Sequence, residues 1–333
     1  MSILVVGDAN ADLSAALVRF PAEGDDAQMT ALEWGSGGSA ANVAAALGRL
    51  GAAARLLARV GHDPAAEIAL RVARAAGADL SMIQIDETIA TGLCFAAVSP
   101  GGNRTFFSFR GANMALAPVG ANQLEGVSWL HISAYALLEG QQRVTTRALI
   151  EAAAAHDIPI SLDLCLPVLR AWHAEILALL PRLRILFANE LELAELCPGV
   201  AQDAATNQLI VTGLALAAIK LGPRGALIAT PGLRWRAPAF DVAPVDTNGC
   251  GDAFVAGFLA AHLRGAALEQ CSALANAIGA LTATRYGAAE ALPARHELRA
   301  FLRQQQGCAE VAGLLETAFE NRVLSQEPDK MTG

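Results

Sequence analysis

The chain has 333 residues, 32 acidic against 24 Lys and Arg side chains for a net charge of −8, and 54% hydrophobic residues with only 17% charged. That length and apolar content exclude a disordered or fibrous chain and suffice for one large α/β domain or two moderate ones. Net negative charge without basic runs speaks against a nucleic-acid partner. No apolar run reaches the ~20 residues of a membrane span, and residues 1–6 run into Gly7-Asp8 without the charged region of a secretion signal, so the expected location is cytoplasmic. Six cysteines without a C-x-x-C pair indicate neither a disulfide framework nor a zinc site.

β-rich runs alternate with Ala/Leu-rich stretches, the pattern of a mostly parallel sheet with helices on both faces. Strands are expected over 3–6, 55–60, 129–132, 158–162, 185–187, 215–221 and 226–229, and helices over 40–50, 65–75, 143–156 and 253–263. In the first helix Val43, Leu47 and Leu50 fall on one stripe. Two stretches break the alternation. Residues 12–34 leave the first strand without entering a helix, and 29–34 read as a poor, mixed segment. Residues 91–110 place Phe95, Val98, Phe106, Phe107 and Phe109 around a Ser99-Pro100-Gly101-Gly102-Asn103 turn, a β-hairpin pattern. Together the two predict a small sheet forming a lid over one end of the main sheet. After Gln304, Val311, Leu314, Leu315, Ala318 and Phe319 form a helical stripe, and the polar end from Ser325 is expected to fray.

Lys220 and Lys330 are the only lysines, and neither completes a P-loop, so phosphate chemistry would need another device. Asp246-Thr247-Asn248-Gly249-Cys250-Gly251-Asp252 runs directly into an amphipathic helix. Glycines bracketing a small residue at a helix N-terminus turn successive N–H groups into one concavity, where the macrodipole favours negative charge. This is an anion cradle without a lysine, with Asp252 at its lip able to take a proton from an attacking hydroxyl. The same residues also suit a turn and an ordinary N-cap. A second glycine cluster, Gly35-Ser36-Gly37-Gly38-Ser39-Ala40-Ala41-Asn42, opens the first helix, and Asn42 can donate to and accept from a hydroxyl. Ahead of it, Asn10 and Asp12 follow the end of the first strand, where alternation puts them on one side and α/β sheets place ligands. Side chains of this kind suit a polyol, though Asx turns would use them equally.

These segments resemble the two signatures of the ribokinase-like (PfkB-type) carbohydrate kinases: Gly37-Gly38 ahead of Asn42-Val43-Ala44, and Asp246 to Asp252. The resemblance extends to about residue 303. It takes in the Asn10-x-Asp12 segment, Gly61 and Asp63, Gly111-Ala112-Asn113, Asn189 and Glu192, Leu221-Gly222-x-x-Gly225, and Asn276 ahead of Gly287-Ala288. It implies a ribokinase-like three-layer α/β sandwich over 1–303, with lid segments inserted at about 12–34 and 91–110, followed by a C-terminal helix and tail over 304–333. It further implies an ATP-dependent sugar kinase with Asp252 as base and the Gly249, Cys250 and Gly251 amides as the anion hole. Asn10, Asp12, Gly37, Gly38 and Asn42 would hold the sugar. Lys220, Gly222, Gly225 and Asn276 would line the nucleotide pocket, Asn189 and Glu192 would organise Mg2+ through water, and Asp246 matches a monovalent-cation (K+) position. A lid sheet that doubles as a dimer surface in this family extends the expectation to a homodimer.

Departures from the family pattern bear on the acceptor. Ser39 stands where true ribokinases carry Lys, Asp163-Leu164-Cys165 stands where many sugar kinases have Asp-x-Asn, and Arg104 in the hairpin is a candidate contact to an anionic sugar. Cys250 replaces the usual Ala, and a thiol at a helix N-terminus is expected to have a lowered pKa. Nucleosides are alternative acceptors. Of other classes, Gly35 to Ala40 satisfies the G-x-G-x-x-A of dinucleotide-binding oxidoreductases but follows no good strand, and a non-catalytic binding protein would not need Asp252. None of the six histidines shows metal-binding spacing.

Overall fold

The structure is a computed structural model that describes residues 2–101 and 103–316. Its elements in chain order are β1 (Ser2–Val6), β2 (Asn10–Leu17), β3 (Met29–Gly37), α1 (Ser39–Arg49), β4 (Ala53–Leu57), β5 (Arg59–Gly61), α2 (Pro64–Ala75), β6 (Gln84–Asp86), β7 (Gly92–Val98) and β8 (Arg104–Phe109). Then follow β9 (Val127–Ser133), α3 (Gly140–Ala155), β10 (Ile160–Asp163), α4 (Leu166–Leu179), β11 (Ile185–Asn189), α5 (Glu190–Leu196), α6 (Gln202–Val211), β12 (Ala217–Lys220), β13 (Ala226–Ala229) and β14 (Arg234–Ala237). The last are α7 (Cys250–His262), α8 (Leu268–Ala283), α9 (Arg295–Gln304) and α10 (Ala309–Gly313).

Eight strands form the central sheet in the order β14-β13-β12-β11-β10-β9-β1-β4, parallel from β12 to β4 and antiparallel at β13 and β14. Successive strand residues enter different cores. Ile3, Val5, Ile185 and Phe187 pack with α1, α7 and α8, whereas Leu4, Val6, Leu186 and Ala188 pack with α3, α4 and α6. Strands buried on both faces read as continuous apolar runs, which is why they are visible without alternation. Phe187 is at the centre of the first core, its ring edge-on to Phe254, Phe258 and the buried His131.

The two segments outside the alternation form the lid, a four-stranded sheet in the order β3-β2-β7-β8. The hairpin of β7 and β8 is as expected, and residues 29–34, read as a poor segment, are the outer part of edge strand β3. That strand is antiparallel to β2, so the dinucleotide fingerprint lacks the parallel βαβ unit it requires. The expected strand 55–60 is two strands. Leu57 still pairs with Val6 in the central sheet, but Arg59 already pairs with Gln84 of β6 in a separate ribbon. An apolar run carries no mark of a change of sheet. Strand 158–162 is observed as Ile160–Asp163, and 215–221 as Ala217–Lys220. Of the C-terminal stripe, Val311 and Leu315 are buried on the first core; Ala318, Phe319 and the segment from Ser325 lie outside the described residues.

Truncation of the fully buried Phe187 removes contacts from three rings, so Phe187→Ala should destabilise the fold by about 3 to 5 kcal/mol. Urea unfolding would show it as a lower midpoint with an unchanged slope, and an unchanged midpoint would contradict this packing.

Candidate active site

The centre of the site is a carboxylate held between two helix N-termini. Gly38 precedes α1 with φ +88°, and a Cβ there would run into the Asp8 carbonyl; Gly249 precedes α7 with φ +74°, and a Cβ there would meet the Ala288 backbone. Only glycine satisfies both positions. Asp252, in the first turn of α7, accepts hydrogen bonds from Ser39 Oγ (2.8 Å) and Asn42 Nδ2 (2.8 Å), both in the first turn of α1. Burial pushes its carboxyl up to about 6; the Asn42 hydrogen bond opposes this most, Asp163 adds to it, and Ser39 and Lys220 counter it. Asn42 Oδ1 is buried without a hydrogen-bond partner among the described residues.

Strand register puts Asn10, Asp12 and Arg104 on one face of the lid, with Leu13, Leu32, Trp34 and Phe107 on the other. Asn113, fully buried, donates from Nδ2 to Asn10 Oδ1 (2.8 Å) and accepts from Ala9 N (3.0 Å), which fixes the Asn10 side chain through its oxygen. Asp12 lies against Gly37, where any Cβ would collide with its carboxylate. Burial, then Glu290, then Asp252 push Asp12 up to about 7. Glu290 in turn accepts from Ser36 N (2.8 Å) and pairs with Arg71 (2.8 Å). Beneath them Asp8 is held by Arg110 (2.9 Å) and by Gln142 Nε2 (2.9 Å).

The cradle does have a lysine. Lys220 at the end of β12 reaches Asp163 Oδ1 (2.6 Å), and its Nζ stands 3.5 Å from where a Gly251 Cβ would be. Burial works against its charge, but Asp163 and Glu192 hold its pKa above the ordinary value, so it remains a cation. Glu192 is pushed up to about 7 by burial, with Lys220 opposing. Asn189 and Glu192 form a capping box on α5, each side chain taking the other's backbone N–H (2.9 and 2.7 Å). Glu190 faces away to Arg224. Gly225 and Asn276 meet at one segment: Gly225 packs on the Ala237 carbonyl, and Asn276 Nδ2 donates to Pro238 O (2.9 Å). Gly222 opens the short turn Gly222–Arg224 beyond Lys220. Arg104 is not free for a ligand as the chain stands, since it pairs with Asp246.

The pfkB family carbohydrate kinase pattern matches residues 1–295. The chain belongs to that family. This carbohydrate kinase is 32% identical over 305 residues to an ATP-dependent ribose-1-phosphate kinase of Halopiger xanaduensis, covering 91% of this chain and 98% of the relative. It is 29% identical to a fructokinase-7, assigned as probable, of Arabidopsis thaliana over 80% of this chain and 83% of that one. Its fold matches a Thermotoga maritima ribokinase with a TM-score of 0.80 at 25% identity, covering 91% of this chain and 100% of the other. A provisionally assigned Escherichia coli ribokinase II with bound ATP and Mg2+ matches with a TM-score of 0.82 at 22% identity, over 91% and 99% of the two chains. The kinase is thus an ATP-dependent phosphotransferase acting on a sugar alcohol group. No helix among the described residues is long and apolar enough to cross a membrane.

Among the described residues no three His, Cys, Asp or Glu converge to hold a metal directly. The capping box takes Asn189 Oδ1 and Glu192 Oε2, so Glu192 Oε1 is the oxygen that could hold Mg2+ or its water shell. Asp246 fits a monovalent cation poorly: Oδ1 already accepts from Arg104 and Asn248 N, and Oδ2 from Gly287 N. The sequence reading gave Ser39, Asn113 and Asp163 only as motif positions without an assigned role and did not reach Glu290. Gly111-Ala112-Asn113 carried a signal as a motif, whereas Glu290 carried none.

The expectation of an acidic Cys250 is overturned. Burial first, and then the nearby Asp246 and Asp252, push the thiol up to about 12. Iodoacetamide at pH 7.5 should therefore label Cys250 at least about tenfold more slowly than an exposed cysteine. Peptide mass spectrometry would read this, and fast labelling blocked by ATP would contradict it.

Proposed function

We propose that this kinase transfers the γ-phosphoryl group of ATP to a hydroxyl of a small, uncharged sugar, with Asp252 as general base and the Gly249, Cys250 and Gly251 N–H groups as the anion hole. The observation that carries the reading is the Asp252 carboxylate itself, fixed by Ser39 and Asn42 at the mouth of a glycine-bracketed helix N-terminus with its pKa at about 6. A base with that pKa is ionised at neutral pH yet basic enough to take a proton as the oxygen attacks. The hydroxyl proton passes to Asp252, the oxygen bonds to phosphorus, and the bond to ADP breaks. The α7 N–H groups and Lys220 face the charge that develops on the phosphoryl oxygens, and such preorganised charge is the protein's main contribution to this chemistry. Bound Mg2+ would neutralise the phosphates, with Asn189 and Glu192 orienting its waters.

Acceptor class is argued from charge. Burial, with the charges of Glu290 and Asp252 crowding in beside it, pushes Asp12 up to about 7. The nearby guanidinium groups of Arg71, Arg104 and Arg110 each already meet a carboxylate. A sugar hydroxyl relieves this crowding by donating to Asp12, whereas a phosphate monoester adds to it. Asn10 and Asn42 supply the matching amide contacts. Gly225 and Asn276 support the nucleotide wall by holding Ala237 and Pro238, and the exposed apolar lid residues Leu32, Trp34, Phe107 and Phe109 fit a second copy of the chain.

ADP release with ATP and Mg2+ across pentoses, hexoses, ribose 1-phosphate and nucleosides tests the reading. Turnover is expected with a neutral sugar, and Asp252→Asn should lower kcat about a thousandfold while leaving ATP binding intact. Turnover of ribose 1-phosphate alone would overturn the acceptor class, and full turnover by Asp252→Asn would overturn the base.

A further inference from the structure

We propose that Arg104 is a positioning residue whose guanidinium serves as the built-in cation at Asp246, coupling the lid to the anion hole and standing in for a monovalent ion there. This rests on the kinase reading only in the name given to the anion hole. Arg104 begins β8, and the register Val98↔Arg104 aims it to the same lid face as Asp12. It crosses to Asp246, whose side chain is 6% exposed, while the arginine's own is 23% exposed. A carboxylate so far out of water needs a compensating charge. Its other hydrogen-bond donors, Asn248 N (2.8 Å) and Gly287 N (3.1 Å), are neutral amides.

Those amides are the points where the charge acts. Asn248 immediately precedes Gly249, whose left-handed conformation caps the start of α7, the helix that carries Cys250 and Gly251. Gly287 begins the loop that carries Ala288, packed against Gly249, and Glu290, which accepts from Ser36 N. Ser36 lies in β3, one edge of the lid, and Arg104 in β8, the other. The lid is therefore tied at both edges to the segments that shape the anion hole, by a neutral-donor bond at β3 and by an ion pair at β8. These donors take both acceptor sites of Oδ1 and one of Oδ2, so a cation approaching Asp246 meets the guanidinium charge beside the single remaining lone pair.

Hydrogen–deuterium exchange on the full chain without substrate, comparing wild type with Arg104→Ala and Arg104→Lys, tests this apart from activity. In Arg104→Ala the amides over 247–251 and 287–290 should exchange about tenfold faster together with 104–109, with Arg104→Lys in between. Replacing tetramethylammonium chloride by KCl at equal ionic strength should slow exchange in Arg104→Ala and leave wild type unchanged. Loosening confined to 104–109, or protection of the wild type by K+, would overturn the proposal. Thermal unfolding run alongside separates this pattern from global destabilisation: exchange raised uniformly through the Phe187 core would also count against it. In turnover, wild type should vary by less than about twofold between the two salts, and strong K+ activation of wild type would overturn the built-in cation. A chain without turnover would defeat the kinase reading while leaving the exchange result decisive for the coupling.

Discussion

Everything at this site depends on keeping one carboxylate charged where water is scarce. Burial pushes Asp252 towards its neutral form, and an acid left at the mercy of desolvation would be protonated and useless as a base. Two side-chain donors on α1, Asn42 and Ser39, and the ammonium of Lys220 restrain that rise, so it stops at about 6. The glycines follow from this geometry. For two helices to begin within hydrogen-bond reach of a single carboxylate, Gly38 and Gly249 must turn with positive φ against neighbouring backbone.

The surrounding charges obey the same economy of compensation. Asp8 has Arg110, Asp163 has Lys220, Asp246 has Arg104 and Glu290 has Arg71. Asp12 meets no such cation among the described residues, and burial, Glu290 and Asp252 push it up to about 7. On the function proposed above, binding and chemistry are divided between two acids of the same pocket: Asp12 would gain a partner from the ligand, and Asp252 has its partners from the protein.

Much of this could be read in the residues before the fold was known. The parallel sheet was legible because strands buried on both faces leave unbroken apolar runs, and the lid hairpin because Ser99 to Asn103 can only turn. Asp252 and its glycines were legible because cradling an anion at a helix start restricts the residue types that fit. What escaped was long-range. Lys220 looked unrelated to the cradle because its approach to Gly251 is made by a sheet and a helix that meet only in three dimensions. Cys250 was misjudged because its helix N-terminus was visible in sequence while the burial around it was not. Glu290 sits in no motif, yet it links the loop behind the anion hole to Ser36 in the lid.

The most direct test is the pH dependence of kcat/KM, which reports ionisations of the free enzyme. A base of this kind must be deprotonated, so activity should fall as pH drops through about 6. Because the Ser39 hydroxyl favours the carboxylate, Ser39→Ala should move that acid limb to higher pH by about half to one pH unit. Asp12 does not touch Ser39, so a limb belonging to it would stay in place. A profile flat between pH 5 and 7, or a limb that Ser39→Ala leaves unmoved, would contradict the assignment of Asp252 as the poised base.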